Sequence, residues 1–122
     1  MEAIRTYERY LHITDNVEEI ASVLFNVGKT YDGIGDSIKA DGYYRRILNM
    51  ESLLMKSAKG NPHMKMFLIM IKHYMHMDKE AEEEFNILYE KHKADVDSMT
   101  WNRYREVLKV DRMCHYVVRR IQ

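Results

Sequence analysis

Little in this chain can break or cross-link it. One proline and five glycines among 122 residues are too few for a turn-dense β architecture or a collagen-like repeat, and a composition 46% hydrophobic and 31% charged argues for a folded chain over a disordered one. The single cysteine, Cys114, excludes an intrachain disulfide, fits a reducing cytoplasm, and reads as a small buried hydrophobe. An excess of charge of either sign is also missing. Nineteen basic and nineteen acidic side chains cancel, so no general field attracts phosphate backbones or anionic lipid, and Arg119-Arg120 is too short a basic patch to imply nucleic acid. The longest apolar run, Met66 to Ile71, is six residues, far short of the roughly 20 that a bilayer span requires. Met1 to Arg5 contains charges and no apolar core of a secretory signal.

What remains favours helix throughout, and residues 1–122 read as one all-α domain of about five to seven helices. The helix signals are polar caps and short turns. Asp15, with Glu18 returning the bond, caps a helix predicted over 16–32, and Gly33-Ile34-Gly35-Asp36-Ser37 forms a turn with two glycines before a long helix to Ala58. Gly60-Asn61-Pro62 stops that helix and starts the next, which runs to His76. Asp78 caps a helix over 79–94, and the Asp95-Val96-Asp97-Ser98 cluster caps a final stretch from Met99 to Gln122, one helix or two meeting near Asp111. Connections this short make consecutive helices antiparallel.

One pattern recurs. Ala3, Ala40 and Ala81 lie about forty residues apart, and each is followed on the same helical face by an aromatic (Tyr7, Tyr44, Phe85) and then a large apolar residue (Tyr10, Ile47, Leu88). A small residue at such a position lets two helices approach closely. In the middle copy, Leu24, Val27-Gly28 and Tyr31, then Gly35-Asp36, then Ala40 and Tyr44, resemble a tetratricopeptide repeat, with Leu24 at its tryptophan position, Val27-Gly28 at Leu-Gly, and Ala40 and Tyr44 at its alanine and phenylalanine. Trp101, Tyr104 and Leu108 resemble the first helix of a further copy, with Arg105 where the glycine belongs. The copy over 62–94 has no glycine at its crossing and is read with a turn about two residues shorter. Ser52 stands where the helix-ending proline belongs. The long second helices further resemble the tetratricopeptide domains of Rap-type peptide-sensing regulators of Gram-positive bacteria.

The resemblance implies an α-solenoid of stacked antiparallel hairpins whose concave face holds a peptide or a helical segment of another protein. On the helix over 16–32 it places Leu24, Val27, Gly28 and Tyr31 in the core, and Ser22, Phe25, Asn26, Lys29 and Asp32 on the adjoining face. It assigns Asn26 to clamping a ligand's backbone amide, since one carboxamide both donates and accepts. Lys29, Asn102, Arg103 and Lys109 are the groups placed to meet acidic side chains or a terminal carboxylate. The chain opens in what reads as the second helix of a hairpin. It is therefore either a piece of a longer repeat protein or a half-hairpin that forms a homodimer through Tyr7, Tyr10, Leu11 and the C-terminal helix.

Two other chemistries, metal binding and catalysis, have less footing in the sequence. Residues 63–77 gather His63, Met64, Met66, Met70, His73, Met75, His76 and Met77, soft ligands that suit Cu(I), or Zn through the imidazoles, with His73 and His76 on one face of an intact helix. The methionines do not share a face, no second carboxylate or cysteine completes a set, and methionine is also an adaptable core filler. No phosphate-cradling loop, nucleophile elbow, His-Glu-x-x-His pair or cofactor motif is present, and Glu80 to Glu84 read as a solvated helix start. Tyr43, Tyr44, Tyr89, Tyr104 and Tyr116 divide between core and interface roles. The expectation is a cytoplasmic binding scaffold with no catalysis, no metal and no cofactor.

Overall fold

A computed structural model describes residues 4–7, 9 and 15–109, and every regular element among them is an α-helix. Ala3, Tyr10, Leu11 and everything after Lys109, including Cys114, Tyr116 and Arg119-Arg120, lie outside the described residues. Residues 4–7 are helical, and six longer helices follow: α1 Val17–Gly33, α2 Ser37–Asn49, α3 Glu51–Ser57, α4 Pro62–Tyr74, α5 Asp78–His92 and α6 Ser98–Lys109. None of the described helices is long and apolar enough to cross a membrane. The chain divides after Lys59 into two compact units.

In the first unit α1 buries Ala21, Leu24, Val27, Gly28 and Asp32, a stripe at helical spacing that packs along α2. Its cap is Asn16 and not Asp15. The Asn16 side chain accepts from the backbone N–H groups of Glu18 and Glu19 at 3.0 and 3.1 Å, one residue later than the sequence suggested. From α2 the triad Ala40, Tyr44 and Ile47 is fully buried. Gly28 lets this crossing close, because a Cβ there would lie 2.6 Å from Tyr44 Cε1. Asp32, expected on an exposed face, is instead wholly buried and accepts a 2.7 Å hydrogen bond from the Tyr44 hydroxyl. The long second helix is interrupted at Met50, whose N–H turns back to Ile47 O, and α3 continues from there to bury Leu54 against α1. Ser57 Oγ donates to Glu18 at 2.9 Å, tying the end of α3 to the start of α1.

In the second unit Asn61 accepts from the N–H of His63 at 2.7 Å and Pro62 occupies the first helical position, as the sequence indicated. Lys59 and Gly60 supply the left-handed backbone ahead of it. α4 ends at Tyr74 and α5 begins at Asp78, so this connection is as long as that between α1 and α2, not two residues shorter. Both turns are the same Schellman motif. Gly35 and Asp36 donate to Asp32 O and Tyr31 O; His76 and Met77 donate to His73 O and Lys72 O in the identical pattern. The left-handed position is Gly35 in one turn (φ +86°) and His76 in the other (φ +62°). Gly33 stays helical, so only one of the two glycines in the first turn is needed for its backbone. Asp78 does not cap α5; it bonds His73 Nδ1 at 3.0 Å across the turn.

The core of the second unit is Met66 and Ile69 from α4, Ala81, Phe85 and Leu88 from α5, Val96, and Trp101 from α6. Trp101 meets Phe85, Tyr89 and Tyr104 edge to face at centroid distances of 5.2 to 5.9 Å. Asp97 caps α6 by accepting from Thr100 N at 2.7 Å, and the Thr100 side chain and backbone together hold its carboxyl below the usual aspartate range. Lys72, only 5% exposed, reaches Glu84 at 2.5 Å and Glu80 at 3.3 Å, and Lys65 reaches Glu84 as well. Burial pushes the Glu84 carboxyl up, but the hydrogen bonds and charges of Lys65 and Lys72 outweigh it and leave its pKa lowered.

Candidate functional site

The residues expected to bind a partner fall into two sets on separate units. On α1, Ser22 and Asn26 are exposed, Phe25 is half-buried with its ring 6.2 Å from that of Tyr44, and Lys29 Nζ lies 6.0 Å from the Phe25 ring. Asn26 therefore presents its carboxamide to solvent, while its backbone carbonyl accepts from Thr30 Oγ1 at 2.8 Å. On α6, Asn102, Arg103 and Lys109 are all exposed. Asn102 Oδ1 accepts from Arg105 at 3.2 Å, and Lys109 pairs with Glu106 at 3.4 Å.

Of the second set, Lys109 borders a cleft of about 420 Å³ in the second unit. That is the size range of sites that hold a small ligand or a few residues of a peptide. The cleft has three distinct surfaces. Ala81, Phe85 and Leu108 are its apolar lining; Asp78, Glu82 and Asn86 line it from α5; Arg105 and Lys109 line it from α6. His73, at the end of α4, also lines it and fixes Asp78.

Arg105 is the best-positioned cation here. Its guanidinium lies 4.7 Å from the Tyr89 ring centroid and 5.9 Å from that of Phe85. Both rings are held by Trp101, so the arginine rests on a rigid aromatic support. A guanidinium near aromatic rings can still use its N–H donors, and one of them donates to Asn102 Oδ1. α6 is itself fixed to α4 by a 2.5 Å hydrogen bond between Tyr104 Oη and His63 Nδ1, and burial together with the charge of Asp97 raises the Tyr104 pKa.

Of the residues that line this cleft, the sequence expectation contained Lys109; Asp78, Glu82, Phe85, Asn86 and Arg105 were not among its candidates, and Asn102 is not part of the lining. The one signal for Arg105 was its standing where the resemblance expected a glycine. The Met/His segment is put to structural use. Met66 is buried, His63 bonds Tyr104, and His73 bonds Asp78. His76 lies beyond the end of α4 with positive φ, so His73 and His76 do not share a helical face as expected. Among the described residues no three His, Cys, Asp or Glu side chains are grouped to hold a metal ion. No family model, curated protein or solved structure matches this chain.

Proposed function

We propose that this chain is a helical-hairpin interaction module, built like a tetratricopeptide repeat, that holds a short segment of another protein and performs no covalent chemistry on it. The observation that carries the reading is the cleft between α5 and α6, where an apolar lining is bordered by charged side chains on both helices. Support also comes from the two hairpins sharing one turn geometry and one buried triad, Ala40-Tyr44-Ile47 and Ala81-Phe85-Leu88. Repetition of such a unit is how helical scaffolds build stacked, solenoid-like binding surfaces. Panning the whole chain against a random peptide library tests the proposal. Recovered peptides that bind in the micromolar range and lose binding on Glu82→Lys, at an exposed position of the cleft, support it; failure to recover any specific binder contradicts it.

A second reading, self-association through the N-terminal segment, is favoured by one feature. Thr6, Tyr7, Glu19, Ser22 and Val23 border a mainly apolar recess of about 330 Å³ in the first unit. Light scattering across a range of concentrations separates the two readings, since a persistent dimer broken by Tyr7→Glu favours self-association.

A further inference from the structure

The charges around the cleft are segregated, and segregation selects a ligand. Resting on the reading just given, we infer that the cleft between α5 and α6 takes a bipolar peptide segment, in which an apolar side chain lies between an acidic group and a basic one. The acidic group, a glutamate or aspartate side chain or a terminal carboxylate, meets the Arg105 guanidinium with Lys109 beside it. A guanidinium already held 4.7 Å from the Tyr89 ring and 5.9 Å from the Phe85 ring gives up less rotamer freedom when it grips a carboxylate, and its planar fork matches the two oxygens. The basic group meets Asp78 and Glu82 on α5. The apolar side chain settles on Phe85, the ring that joins the two charged borders. Asn86, exposed on α5 next to Phe85, offers one donor and one acceptor to the backbone amide between them.

Charge complementarity excludes simpler ligands. A wholly acidic segment that satisfies Arg105 and Lys109 brings like charge to Asp78 and Glu82, and a wholly basic one has the opposite fault; such juxtapositions are how interfaces reject wrong partners. A purely apolar segment leaves both charged borders unmatched.

The test uses the full chain and fluorescent synthetic peptides carrying lysine, leucine and glutamate in both directions, with all-acidic, all-basic and leucine-to-alanine controls. One bipolar direction is expected to bind by fluorescence anisotropy at micromolar concentration, about tenfold or more tighter than any control. Asn86→Ala, at an exposed position, weakens that binding about tenfold. The double variant Arg105→Glu with Lys109→Glu makes both borders acidic and transfers the preference to the all-basic peptide, a gain that misfolding cannot produce. Equal binding of all peptides, or bipolar binding unchanged in the double variant, overturns the inference. So does a dimer that the double variant dissociates, because a second copy is then the occupant. Library-selected binders that ignore Arg105 and Asn86 sink this inference alone, whereas the absence of any peptide binder sinks the interaction reading with it.

Discussion

At the crossing of α1 and α2 the chain sets Gly28 beneath Tyr44; at the matching register of α4 and α5 it has Ile69 and Phe85. The turns are the same Schellman motif and Ala40 and Ala81 match, yet much of the remaining filling between the helices differs. Tyr31 and Tyr43 stack at 5.6 Å in the first hairpin, where the second has Lys72 and Glu84 as an ion pair. Lys39 and Arg46 extend the first arrangement by lying 5.5 Å from the Tyr31 and Tyr43 rings. Where Asp32 takes the Tyr44 hydroxyl, the second hairpin has His73, which turns to Asp78. The two hairpins share the turn and the small–aromatic–aliphatic triad. The remaining space holds rings and a buried hydrogen bond in the first and an ion pair in the second.

The comparison can be broken at its tightest point first. Gly28→Val places branched carbon where a Cβ already meets the Tyr44 ring, and the ring is held by Asp32, so the first unit should lose about 3 kcal/mol, read from denaturant unfolding. Ile69→Gly offers no matching relief in the second. Glu84→Ala removes the carboxylate that lies 2.5 Å from the buried Lys72 ammonium and leaves the longer, 3.3 Å contact to Glu80. Breaking a buried pair costs several kcal/mol, but Glu84 is partly exposed, so a loss of about 2 kcal/mol is expected, seen as faster hydrogen exchange in α4 and α5. Tyr44→Phe imitates the second hairpin's aromatic but removes the hydroxyl that donates to buried Asp32 Oδ2, and about 1–2 kcal/mol should be lost, read from denaturant unfolding.

Acid should sharpen the contrast. Because the folded-state pKa of Glu84 lies below its ordinary value of 4.5, its contribution is present above that value and disappears as pH falls through the lowered one. The stability gap between the natural chain and Glu84→Gln should therefore be full near neutral pH and close below pH 4.5. The smallest expected effect is a gain. His76 occupies the left-handed position that Gly35 fills in the first turn, and His76→Gly should stabilise by about 1 kcal/mol, measured as a rise in Tm.

The all-helical class was legible because caps and spacing are local: Asn61-Pro62, Asp97 and the triads at Ala40 and Ala81 act where the sequence puts them. Boundaries failed where two residues competed for one cap, as Asp15 and Asn16 do, or where a non-glycine took left-handed backbone, as His76 does, because neither choice has a composition signal. The burial of Asp32 was hidden for a different reason. A carboxylate on a helix reads as solvated unless its donor is known, and that donor, Tyr44, comes from another helix. The cleft was partly legible through Lys109. Arg105 read only as a departure from the repeat because its role depends on Tyr89 and Phe85, which precede it on α5 and are brought beneath it only by folding.

The most direct test of the account is a two-dimensional amide NMR titration of the full chain with the tightest library-selected peptide. The account predicts shifts concentrated at Asp78, Glu82, Phe85, Asn86, Arg105 and Lys109. Shifts confined to Ser22, Phe25, Asn26 and Lys29, or absent throughout, would contradict the assignment of binding to the α5–α6 cleft.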